Sequence, residues 1–136
     1  MLGRTIQELE ASSFFAQFGL TRLDGNYAPE GKLRDLIRLR VQETTGEISE
    51  MSLWISRRLV EHRANGVWAQ SIASSFLDLV DPEILPHFPG GWAWPPAAAS
   101  LPLASFRLTV TSSEDSLTLT VLGQGQRKRR WGLFGS

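Results

Sequence analysis

Residues 106–122, FRLTVTSSEDSLTLTVL, decide the fold class. Phe106, Leu108 and Val110 alternate with Arg107, Thr109 and Thr111, and Leu117, Leu119 and Val121 alternate with Thr118, Thr120 and Leu122. Successive side chains of an extended strand point to opposite faces, so each run has one apolar face and one face rich in threonine. Ser112-Ser113-Glu114-Asp115 is a polar four-residue connection between them. The stretch predicts a β-hairpin. Two strands alone are marginal in water, so this hairpin has to pack on a helix or join further strands.

Residues 36–63 offer those strands. Ile37, Leu39 and Val41 alternate with Arg38, Arg40 and Gln42, and Thr44-Thr45-Gly46 can close a hairpin onto Met51, Leu53 and Ile55. A helical stripe through Leu33, Leu36, Ile37 and Val41 competes with this pattern. Read as a helix, however, 49–63 places Met51, Trp54, Ile55 and Leu59 on one side and strands Leu53 and Val60 on the other. The turn glycine and the β-branched residues favour strands over 36–43 and 47–56.

Helices are expected at both ends of this region. Ile6, Leu9, Phe14 and Phe18 recur at helical steps over Thr5–Phe18, with Glu8 and Glu10 near the positive end of the helix dipole and Gly19 as a stop. Leu20 to Gly31 reads as turns, punctuated by Asp24-Gly25-Asn26 and Pro29-Glu30-Gly31. After Asn65-Gly66, the residues Trp68, Ile72, Phe76 and Leu79 predict a helix over 66–80, which Asp81-Pro82 ends. Residues 86–105 contain Pro86, Pro89, Pro95, Pro96 and Pro102 with Gly90-Gly91, and are read as a loop with no regular element longer than a turn.

The fold expected is α+β: a small antiparallel sheet that includes the C-terminal β-hairpin, packed on two or three helices. The alternative is a mainly α domain carrying one hairpin. At 136 residues the chain has the length of one domain, read as 1–126 with the Pro/Gly/Trp-rich loop at 86–105, followed by a basic-aromatic tail at 127–136. Hydrophobic residues make up 42% and charged residues 21%, which argues against a disordered chain. No apolar run approaches the roughly 20 residues a bilayer span takes, and no signal peptide is evident. There is no cysteine, which excludes disulfides, thiolate metal sites and thiol nucleophiles. A cytoplasmic protein is the expectation.

A net charge of zero hides a pattern. Residues 1–30 sum to −2, residues 31–63 to +2 and residues 64–126 to −4, and the run Arg127-Lys128-Arg129-Arg130 restores +4. A strongly basic nucleic-acid-binding domain has a pI above about 9; this chain has 6.7. His62 and His87 have no companion at metal-ligand spacing. Glu61-His62 are adjacent and point apart on any regular element. Gly123-Gln124-Gly125 follows a strand but opens no helix, so it lacks the context of a dinucleotide site. No catalytic residue, cofactor or metal is assigned.

Two aromatic segments remain. Behind the four consecutive cations stand Trp131, Leu133 and Phe134; Trp92 and Trp94 alternate between prolines in FPGGWAWPP, residues 88–96. Cations meet phosphates or carboxylates, and aromatic rings stack or insert. Arg127, Lys128, Arg129, Arg130, Trp131, Leu133, Phe134, Trp92 and Trp94 are therefore the candidate partner-binding residues. The function expected is a non-catalytic protein-binding adaptor, assembly factor or small subunit of a larger complex. The alternative is binding of nucleic acid or an anionic membrane surface through the tail; a second alternative is a small metal-independent enzyme.

Overall fold

The computed structural model describes residues 1–88, 91–103 and 105–123. Its strands are β1 (Leu20–Leu23), β2 (Asn26–Pro29), β3 (Ile37–Thr44), β4 (Glu47–Ser56), β5 (Ala99–Pro102), β6 (Phe106–Ser112) and β7 (Ser116–Gly123). They form one antiparallel sheet in the order β1-β2-β3-β4-β7-β6-β5. The helices are α1 (Ile6–Glu10), α2 (Ser13–Phe18), α3 (Arg57–Val60) and α4 (Gly66–Val80), with one 3-10 turn at Gly31–Leu33. The protein is mixed α+β, and the sheet is larger than the small one expected.

The C-terminal hairpin forms where it was expected, pairing Leu108 with Val121 and Val110 with Leu119. Residues 37–56 also form a hairpin. Thr45 and Gly46 both take left-handed backbone, with φ 53° and 83°, the geometry of a two-residue turn whose twist matches the flanking strands. Its strands pair Leu39 with Leu53, and β7 adds on the far side of β4 to pair Leu53 with Leu119. Leu39, Leu53, Leu119 and Val110 thus form one apolar row, none more than 2% exposed. Each such side chain contributes about 1.5–3 kcal/mol by leaving water.

Three readings need correction. The helix expected over Thr5–Phe18 is two helices. Ser12 breaks it: its hydroxyl donates to the Leu9 carbonyl at 2.6 Å and accepts from the Phe15 amide, so it competes with the helical ladder and caps α2. α1 has its own start, a capping box in which the Thr5 and Glu8 side chains each accept the other's amide. Residues 20–31 hold the β1–β2 hairpin as well as turns. Asp24 and Gly25, at φ 49° and 81°, form its turn. Residues 86–105 include the regular strand β5, paired with β6 from Ala99 opposite Val110 to Pro102 opposite Arg107. Proline is tolerated there because β5 is the sheet's edge, where the missing amide faces no partner strand.

α4 spans the residues expected, but its buried face is Ala69, Ile72, Ala73, Phe76, Leu77 and Val80, while Trp68 and Leu79 sit half-buried at its margins. Leu9 of α1, Phe14, Phe15 and Phe18 of α2, and Leu59 and Val60 of α3 join the same cluster as the apolar row of the sheet. Phe14 lies against Phe76 with ring centroids 6.4 Å apart, and the edge of Phe18 meets Trp68 at 5.6 Å. The core therefore lies on one face of the sheet. No helix of the described residues is long and apolar enough to cross a membrane.

Candidate functional site

The alternation that buries one face of the strands sends the intervening side chains to the other. A first row across β3, β4, β7 and β6 is Arg38, Trp54, Thr118 and Thr111. The second is Arg40, Ser52, Thr120 and Thr109, extended by Ser100 of β5. The third is Gln42, Glu50, Leu122 and Arg107, extended by Pro102. None of these side chains is buried. Five strands thus present a broad polar surface with one tryptophan in its first row.

Trp54 is half-buried and belongs neither to the core cluster nor to the apolar side chains packed against it, unlike Trp68, Trp92 and Trp94. Arg38, directly opposite on β3, donates from Nη1 to the carbonyls of Arg34 and Ile37, so its guanidinium is oriented by backbone rather than neutralised by a carboxylate. Arg40 is exposed and takes part in none of the ion pairs among the described residues. Within the three rows, Glu50 is the single carboxylate against Arg38, Arg40 and Arg107. The Ser52 and Thr120 hydroxyls lie 2.9 Å apart, and Arg107 donates to Ser100 Oγ at 2.8 Å. A shallow depression of about 350 Å³ lies in the second and third rows, lined by Asn26, Arg40, Gln42, Glu50, Ser52 and Thr120. Chemically this face can donate and accept hydrogen bonds and attract anions.

Sequence reasoning did not single out this face, although the signal was present. Once Arg38, Arg40 and Gln42 are placed on the wet side of a strand, the same alternation along 50–54 puts Ser52 and Trp54 there too. A tryptophan in the wet register is the readable mark.

Of the residues singled out from sequence, Trp92 and Trp94 fall among the described residues. Both are half-buried and packed against the core cluster. Trp92 meets Phe88 edge-on at 5.1 Å and lies 6.3 Å from Trp94. Their indole Nε1 atoms are buried without a hydrogen-bond partner. Arg127, Lys128, Arg129, Arg130, Trp131, Leu133 and Phe134 lie outside the described residues.

Several other titratable groups serve local structure. His62 Nδ1 accepts from the amides of Ala64 and Asn65 at 3.2 and 3.0 Å, just ahead of α4. His87 Nδ1 lies 2.9 Å from the Glu83 carbonyl. Glu10 Oε2 accepts from Arg22 Nε at 2.6 Å and from the Tyr27 hydroxyl at 2.8 Å, tying α1 to the β1–β2 hairpin. The Arg22 bond, then the Tyr27 bond, hold Glu10 below the usual carboxylate range, while burial and the neighbouring Glu10 push the Tyr27 phenol up to about 12. Among the described residues, no three His, Asp or Glu side chains converge as a metal would require. No protein-family model matches the chain, and neither a curated protein nor a solved structure is similar to it.

Proposed function

We propose that the chain is a non-catalytic protein-binding adaptor, assembly factor or small subunit of a larger complex, working in the cytoplasm. The segment around Trp92 and Trp94 is one contact surface, and the basic-aromatic residues from Arg127 to Phe134 are a second. The observation that carries this reading is the pair of indole N–H groups, both buried and both without an acceptor. A buried donor left unpaired costs about 1–3 kcal/mol. The rings that hold these donors are half-buried, and the described residues between α4 and β5 form neither helix nor strand. A partner chain that covers the rings, with this segment shifting on binding to bring the covered N–H groups to carbonyl acceptors, relieves both deficits. Tryptophans of this kind are the usual energetic anchors of protein interfaces.

The test compares the proteins that co-purify with the intact chain, with a Trp92→Phe/Trp94→Phe variant, and with a chain ending at Gln126. Phenylalanine keeps most of the apolar bulk but has no N–H. Removing the unpaired N–H groups should cost the free double variant no stability, so any loss it shows comes from the smaller rings' packing. Its recovery of a specific partner should fall, and so should that of the shortened chain. Identical partners in identical yield from all three would refute the reading.

A further inference from the structure

We propose that the open face of the sheet binds single-stranded nucleic acid, with a base stacked on Trp54 and the phosphate backbone following Arg38 and Arg40. This goes beyond the adaptor reading: it concerns a different surface and stands on different observations.

The first observation is where Trp54 sits. The other described tryptophans, Trp68, Trp92 and Trp94, are packed against the core. Trp54 stands in the polar register between Arg38 and Thr118, outside that packing. Its side chain is half-buried, and the part left exposed is available to a planar ligand. Base stacking on an aromatic side chain needs a flat, accessible ring, and it tolerates any base because every base has a π-face.

The second observation is charge. Arg38 and Arg40 stand two residues apart on β3, about 6.7 Å along the strand, so an extended backbone passing Trp54 meets one and then the other. Neither is in an ion pair with a carboxylate among the described residues. Arg38 is already held in place by two backbone carbonyls, so part of the ordering cost of binding a phosphate is met in advance. The overall neutrality of the chain does not weaken this, because within the three rows Arg38, Arg40 and Arg107 stand against the single carboxylate of Glu50.

The third observation is the width and lining of the surface. From β3 to β6 the face spans three strand spacings, roughly 14 Å, enough for two or three splayed bases. Ser52, Thr109, Thr111, Thr118 and Thr120 line it with hydroxyls that both donate and accept, suited to base edges and sugar hydroxyls. An acidic peptide would satisfy the arginines but leave the ring without a planar partner. An anionic membrane would require an apolar side to insert, and the three rows offer only Trp54, Leu122 and Pro102.

The experiment is fluorescence polarisation of labelled oligo(dT) and oligo(rU), about ten nucleotides long, with the full chain and its tail intact in every variant. The parent is expected to bind, with a log–log salt slope near −1.4 from the two arginines at about −0.7 each, plus whatever the tail adds. Trp54→Ala should weaken binding about tenfold to a hundredfold, and Trp54→Phe should restore most of it. Arg40→Ala, at an exposed residue outside the ion pairs among the described residues, should weaken binding and flatten the slope by about 0.7. If Trp54→Ala fails to fold by circular dichroism, Trp54→Leu, which keeps apolar bulk without a π-face, and Arg40→Ala decide the matter. The proposal is overturned if no oligonucleotide binds. It is equally overturned if every variant binds like the parent, which would assign binding to the tail, or if poly-glutamate or phosphatidylserine vesicles compete as well as oligonucleotide does.

Discussion

Tyr27 is the only tyrosine in the chain, and its ring is 5% exposed beneath α2, where its edge meets Phe15 at 4.8 Å. Burial, and then the bond to Glu10, favour the neutral phenol, so ionisation waits until about pH 12 against an ordinary value near 10. The sign follows directly. A proton held more tightly in the folded state stabilises it below about pH 10, and that contribution is lost as pH rises from 10 towards 12. Glu10 works in the opposite direction: held below its ordinary range, it stabilises the fold above that range and loses its effect as the solution is acidified through it. An alkaline absorbance titration should show tyrosinate appearing near pH 12, together with loss of the folded circular-dichroism signal. A midpoint near 10 with the fold intact would mean that the phenol is neither buried nor bonded to Glu10. None of this was readable from sequence, because Glu10 and Tyr27 are 17 residues apart and meet only when α1 lies over the first hairpin.

At the scale of elements, the β3–β4 hairpin shows local and tertiary demands in conflict. Its turn needs left-handed backbone at two successive positions. Gly46 supplies this freely, whereas Thr45, at φ 53°, carries a branched side chain in a region that such residues avoid. Asp24-Gly25 in the first hairpin meets the same demand with a residue that tolerates it. Replacing Thr45 by Asn should therefore stabilise the protein by about 0.5–1 kcal/mol, read as a higher urea midpoint with an unchanged slope. A lower midpoint would show that the Thr45 hydroxyl bond to the Thr44 carbonyl, 2.7 Å long, outweighs the backbone strain. The same contrast explains which elements were legible. The two central hairpins were, because alternation over ten or more residues agrees with the turn glycine in one and with a short polar connection in the other. β1 and β2 are four residues each, too short for alternation to register, though Asp24-Gly25 marked their turn. β5 was hidden by Pro102, which forbids an interior strand but not an edge one, and edge position is settled by the partner strand rather than by the segment itself. Ser12 sits inside an apolar period that sequence reads straight through.

For the molecule as a whole, the two faces of the sheet should respond differently to truncation. Leu53 is fully buried at the centre of the inner face, between Leu39 and Leu119, and Leu122 is 42% exposed on the outer face. Leu53→Ala should cost about 2–5 kcal/mol, a large share of the roughly 5–15 kcal/mol that holds a domain folded. Leu122→Ala should change stability by less than about 0.5 kcal/mol. Both are read by urea denaturation, and equal losses would mean that the outer face is covered after all. By itself the sequence determined that the chain is α+β with antiparallel hairpins and a helix over 66–80, because period and turn chemistry act between near neighbours. It also determined which residues of each strand share a face. Only the tertiary structure decided that β7 lies beside β4, that all four described helices bury their apolar side chains on the same side, and that the outward rows of the two central hairpins join into one face. Those outcomes depend on which apolar surfaces bury one another across long separations in the chain, and a one-dimensional pattern of polarity does not encode that pairing.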